Sequence, residues 1–120
     1  MNLTEQEAHF EELINLMRHT LFSKGDDYAN EDRLSNFKQS GAISGSDAKQ
    51  IALSMIAVKV SRIGNLFKST QPKNESIMDS VLDLANYAVL LHMILGETKE
   101  AKPEPKNIGK RPDYLNKICL

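Results

Sequence analysis

Apolar residues recur along most of the chain at intervals of three and four, the spacing that gathers side chains on one face of a helix. No stretch of useful length alternates as a strand would. Phe10, Leu13, Ile14, Met17 and Leu21 form the first stripe. Thr4 and Glu7 precede it with capping-box spacing and Gly25 follows as a stop, which predicts a helix over about 5–24. Positions 25–30 read as a turn, 31–39 as a short helix burying Leu34 and Phe37, and 41–46 as a loop. Ser46 can cap a third helix over 47–69, whose Ile51, Ala52, Met55, Ile56, Val60, Ile63, Leu66 and Phe67 lie mostly on one side. A fourth helix opens at Asn74 or Ser76 and closes at Gly96. Beyond Glu97 come three of the four prolines, many charges and few apolar residues before Tyr114, Leu115 and Ile118. The pattern predicts an all-α fold, a four- to five-helix bundle-like domain over 1–96 with an extended or mobile tail over 97–120.

The fourth helix breaks its own pattern. Asp79, Asp83 and Asn86 share one side of a segment otherwise built from Ile77, Val81, Leu82, Leu84, Ala85, Ala88, Val89 and Leu90. Burying such groups costs several kcal/mol each, roughly, unless a partner compensates. The third helix offers partners. At about 100° per residue, Lys59 falls inside the apolar arc of Ala52, Met55, Ile56, Ile63 and Leu66, and Arg62 and Asn65 lie close to it. A buried ion pair between Lys59 or Arg62 and Asp79 or Asp83 accounts for part of this set. Adjacent helices bearing carboxylates on one side and cations on the other also suit a metal-and-phosphate site, because carboxylates bind magnesium and Lys and Arg hold phosphate. Glu7 and Glu11 border the stripe of the first helix. Their ordinary role is solvated helix charge; if they face the core, Glu7 or Glu11 joins Asp79 and Asp83 as a metal ligand.

Composition narrows the options. The chain has 120 residues, 15 Lys and Arg against 16 Asp and Glu, and a formal net charge of −1. That size fits one domain, and scattered charge is not the footprint of a duplex nucleic-acid binder. The single Cys119 forms no internal disulfide, no signal-peptide pattern opens the chain, and the run from Val81 to Leu95 falls short of the roughly 20 apolar residues of a membrane span. These features predict a soluble cytoplasmic protein. Two long apolar helices in so short a chain predict a homo-oligomer, dimer or tetramer.

The turn Lys24-Gly25-Asp26-Asp27-Tyr28-Ala29-Asn30 and the segment Leu34-Ser35-Asn36-Phe37-Lys38 are dense in groups able to recognise a nucleoside. Tyr28 and Phe37 can stack, and Asn30 and Asn36 can hydrogen-bond a base edge. The plainer account is a polar loop anchored by two aromatic rings. His92 reads as a core or interface histidine, and His9 and His19 as exposed. No zinc spacing, P-loop or hydrolase triad is present.

Together, Lys24-Gly-Asp-Asp27-Tyr28, Leu34-Ser-Asn36-Phe37, Lys59-Val-Ser-Arg62-Ile-Gly-Asn65-Leu66 and Asp79-Ser-Val-Leu-Asp83-Leu-Ala-Asn86-Tyr87 resemble, over roughly 20–95, the nucleotide modification associated domain family of phage and bacteria. The chain is also distantly similar to the MazG-like all-α nucleoside triphosphate pyrophosphatases, whose acidic pairs bind magnesium. It departs from their pattern in two places. Asn15 of Glu11-Glu12-Leu-Ile-Asn15 stands where they have a third Glu, and Asp79 and Asp83 are spaced by four instead of three. The resemblance implies a magnesium-dependent (deoxy)nucleoside triphosphate pyrophosphohydrolase, placed in a host cytoplasm if the gene is a phage's. Asp79, Asp83 and Glu11 would hold metal, Lys59, Arg62 and Asn65 phosphate, and Asp27, Tyr28, Asn36, Phe37 and Asn86 the nucleoside. The alternatives are a non-catalytic protein that sequesters a nucleotide or nucleotide signal, and a purely structural helical oligomer.

Overall fold

The computed structural model describes residues 1–23, 32–70 and 74–99, and these form four helices and no strand: α1 (Leu3–Ser23), α2 (Ser35–Ser44), α3 (Ala48–Phe67) and α4 (Asn74–Lys99). The all-α expectation holds. The turn holding Asp27 and Tyr28, the segment beyond Lys99 and Cys119 lie outside the described residues.

Caps and local turns set most of the points where the elements begin and end, and several predicted boundaries move. The Asn2 side-chain oxygen accepts from the Glu5 backbone N–H at 2.9 Å, while the Glu5 carboxylate accepts from the Asn2 N–H at 3.1 Å. This is a capping box two residues ahead of Thr4 and Glu7, because Asn caps as well as Thr and the pair before Thr4 gains an extra half-turn. α2 starts later than predicted, after Asp32 accepts the Leu34 N–H at 3.0 Å, and continues through Gly41 to Ser44. Gly45, with φ 73°, closes it in the left-handed conformation that glycine adopts without steric penalty. The predicted loop at 41–46 is therefore mostly helix. Gly41 is there for contact: a Cβ on it would lie 2.6 Å from the Asp47 carbonyl carbon, so only glycine lets the two backbones approach. Asp47, rather than Ser46, caps α3 by accepting from the Gln50 N–H at 2.9 Å. Gly96 sits inside α4, which runs on to Lys99 instead of ending there.

The closest packing is an antiparallel hairpin of α3 and α4, with α2 laid on α3 and α1 on α4. Leu34, Ala52 and Ile94 are the buried apolar centre, flanked by Phe37, Ala48, Leu90 and Leu91. Along the hairpin, α3 presents Ala52, Ile56, Lys59, Ile63 and Leu66, and α4 presents Ser80, Asp83, Tyr87, Leu90 and Ile94, all buried or half-buried. These alternate three–four spacings are the seam geometry of packed helices. α4 also corrects the apolar-run expectation: Ser76–Glu97, 22 residues with mean hydropathy 1.3, is long and apolar enough to cross a membrane by length and composition. Only 17% of that window is buried within the chain.

Candidate functional site

The polar residues of the fourth helix find their partners across the hairpin seam. Lys59 Nζ lies 3.0 Å from Asp83 Oδ2, and one helical turn further along Arg62 Nε donates to Ser80 Oγ at 3.2 Å. Rising numbers on α3 meet falling numbers on α4, so both pairs follow from the antiparallel register. The Lys59 side chain is 20% exposed and that of Asp83 40%. Lysine therefore threads its methylenes through the apolar seam and delivers its charge at the edge, where the carboxylate meets water. Ser80 is almost completely buried. Its single hydroxyl gives the guanidinium an acceptor inside the seam without burying a second charge.

Asn86 faces a different neighbour. Its Nδ2 donates to Thr20 Oγ1 at 2.7 Å, and Thr20 in turn donates to the Leu16 carbonyl at 2.9 Å. This chain of bonds fastens α1 to α4. The Asn86 residue is 9% exposed, and among the described residues its Oδ1 has no hydrogen-bond partner. A buried carbonyl oxygen left so costs about 1–3 kcal/mol, which marks it as an acceptor ready for an N–H or O–H donor.

Of the residues assigned to phosphate, Arg62 and Asn65 line one open recess of about 460 Å³ together with Val58, Ser61 and Leu66. Lys59 lies one turn away and points into the seam toward Asp83. Of those assigned to metal, Asp83 is paired with Lys59, Asp79 is exposed on the neighbouring turn of α4, and Glu11 is on the exposed N-terminal half of α1 beside a recess of about 550 Å³ shared with Thr4, Glu7 and Phe10. Among the described residues no three His, Cys, Asp or Glu side chains come together as a metal cage. The set Asp79, Asp83 and Glu11 is thus not assembled by the described part of a single chain, and Glu7 is as exposed as Glu11.

Of the nucleoside set, Phe37 packs on the apolar centre and meets Tyr87 edge-on, with ring centroids 6.5 Å apart and planes at 85°. It anchors α2 to α4, the plainer of its two predicted roles. Asn36 is exposed on α2. Close by, Lys38 Nζ bridges Asp32 at 2.6 Å and Glu97 at 2.5 Å, tying the start of α2 to the end of α4. The Lys38 hydrogen bond, aided by the Leu34 N–H, holds the Asp32 carboxyl below its usual range, and the Asp32 and Glu97 bonds raise the Lys38 ammonium.

Sequence reasoning missed Ser80, Thr20 and this bridge. Ser80 was legible as a small hydroxyl at a seam position of α4, three residues before Asp83. Thr20 and the Lys38 bridge join elements far apart in the chain, so no local pattern marks them. Against protein-family models, curated protein sequences and solved structures, the chain finds no match.

Proposed function

We propose that the protein binds a nucleotide through its phosphates along the α3 edge of the hairpin, and that it is a candidate magnesium-dependent (deoxy)nucleoside triphosphate pyrophosphohydrolase. The observation that carries the binding step is the recess in which Arg62 and Asn65 stand side by side. Ser80 anchors the guanidinium through Nε alone, so its terminal nitrogens keep their fork of donors for phosphate oxygens. Lys59 adds charge one turn away, and Asp83 holds it in place. Magnesium is the cofactor of this reading and would supply charge neutralisation and an activated water. Asp79 and Asp83 are the two carboxylates nearest to that task, and the described residues bring no third.

That shortage favours a second reading, a protein that holds a nucleotide or nucleotide signal without cleaving it. One experiment separates the two. Purified protein is incubated with a panel of ribo- and deoxyribonucleoside triphosphates and magnesium, and products are resolved by phosphorus NMR. Release of pyrophosphate, lost in Asp83→Asn, supports the hydrolase. Saturable binding without product, weakened in Arg62→Ala, supports the binder. Neither binding nor product from any nucleotide would eliminate both and leave the helices a structural role.

A further inference from the structure

Arg62 stands at the middle of a short repeat. Val58, Arg62 and Leu66 follow one another at intervals of four on α3, so the arginine has an apolar side chain one turn to either side, about 6 Å away along the helix axis. Ser61 and Asn65 fill the spaces between them, and all five line the open recess of about 460 Å³. Its polar part is therefore short and bounded by apolar residues at both ends.

The charge around it is nearly cancelled. Lys59 is held by Asp83 at 3.0 Å and brings no net charge, and Lys49, near the start of the helix, is bridged to Asp47. Lys68 lies six residues beyond Arg62, about 120° around the helix from it. Asp79, exposed on α4 one residue before Ser80, repels added negative charge. Among the described residues, Arg62 is thus the one uncompensated cation at this recess. Its guanidinium commits only Nε, to Ser80 Oγ at 3.2 Å. The two terminal nitrogens form a fork that fits two oxygens of a single phosphate.

Ligand charge decides which phosphate suits such a site. A diester phosphate carries one negative charge, a monoester roughly two near neutral pH, and a triphosphate chain more. One fork and one unmatched positive charge match the first. Shape agrees, since an apolar residue lies on each side of Arg62 and only a diester carries an organic group on both sides of its phosphorus.

We propose that the α3 recess takes a phosphodiester of nucleosides, a small dinucleotide-type ligand, with its phosphate on the Arg62 fork and the Asn65 amide and its two nucleosides toward Val58 and Leu66. This rests on the reading that the recess holds a nucleotide's phosphate. It names the ligand for holding without cleavage and calls for no metal.

The isotope-labelled full chain is titrated with dinucleoside monophosphates, with adenosine mono- and triphosphate in the absence of magnesium, and with a short oligonucleotide strand. Shifts of the Arg62 Nε–H and Asn65 Nδ2–H resonances locate binding, and calorimetry gives the affinities. The diester should bind more tightly than the triphosphate despite its lower charge, with log affinity falling against log salt at a slope of about −1, the value for one phosphate contact. Arg62→Lys, which keeps the charge and loses the fork, should weaken the diester about tenfold, while Lys68→Met leaves it unchanged. A triphosphate that binds as tightly as the diester or more tightly overturns the proposal and leaves the phosphate reading standing. A strand that binds far more tightly than the dinucleotide, with a steeper salt slope, overturns the small ligand. Diester binding that Arg62→Lys does not weaken overturns its placement. No binding by any of the four overturns the proposal together with the phosphate reading beneath it. The ranking of ligands is read on the wild type and needs no variant to fold.

Discussion

Removing either member of the Lys59–Asp83 pair should cost different amounts, and the asymmetry is set by burial. At 3.0 Å the attraction between unit charges is about 5 kcal/mol at an effective dielectric of ~20 and near 1.4 kcal/mol in water. Desolvation offsets much of it, so the net value lies between the ~0.2–1 kcal/mol of exposed pairs and the ~3–5 kcal/mol lost on breaking buried ones. Lys59 is the more buried partner, its side chain 20% exposed against 40% for Asp83. Asp83→Asn leaves an ammonium in the seam with its counter-charge gone and should cost about 1.5 kcal/mol. Lys59→Met keeps the aliphatic stem against Ile56 and Ile63 and leaves a carboxylate that water can reach, so it should cost about 0.5 kcal/mol. The double variant Lys59→Met/Asp83→Asn should cost about 1 kcal/mol, less than the roughly 2 kcal/mol sum of the two single losses, a coupling of about 1 kcal/mol. Urea unfolding followed by circular dichroism at constant m-value measures all four species. A larger loss for Lys59→Met than for Asp83→Asn, or zero coupling, would refute the assignment of the lysine as the desolvated partner.

Three further expectations follow from single observations. Asn86→Leu deletes the unpartnered Oδ1 along with the bond to Thr20, which keeps its own acceptor at Leu16; its stability should stay within about 0.5 kcal/mol of wild type, whereas Thr20→Val, which strands the amide nitrogen too, should cost about 1–2 kcal/mol. A loss above about 2 kcal/mol for Asn86→Leu in thermal unfolding would mean that a donor engages Oδ1 in solution. Gly41→Ala drives a Cβ into the Asp47 backbone and should destabilise by about 1–3 kcal/mol, while Gly96→Ala, with open space around it and an interior helical position, should stabilise by about 0.5–1 kcal/mol; equal effects in chemical denaturation would contradict the close approach at Gly41. The Asp32 carboxyl is held below its ordinary value of 3.8, so the bridge to Lys38 contributes fully above that pH and is lost as pH falls through the lower folded value. Lys38 is raised above 10.5 and its contribution fades only as pH rises beyond that. Acid titration of wild type against Asp32→Asn, monitored by the unfolding midpoint, should show a constant separation above pH 3.8 that closes as pH falls below it; a separation that does not change with pH would rule the bridge out.

The helices were legible because their cause is local. Period, caps and breakers lie within a few residues of each other, and four elements of all-α type follow from them, with only the ends misplaced where a better cap stood nearby, as at Asn2 and Asp47. The polar set on α3 and α4 was legible for the same reason: a lysine in the middle of an apolar arc has to reach an acceptor, and helical spacing limits which one. What the sequence could not contain is the register that chose Asp83 for Lys59 and Ser80 for Arg62, since that depends on how two helices slide until their side chains interlock. Nor could it show that Asn86 turns toward Thr20, or that Phe37 meets Tyr87 edge-on, because those contacts join segments separated by tens of residues. The sequence by itself determined which side chains need partners. The tertiary structure decided which partners they have, because only the sliding and interlocking of the packed helices brings one candidate within reach and leaves the others out.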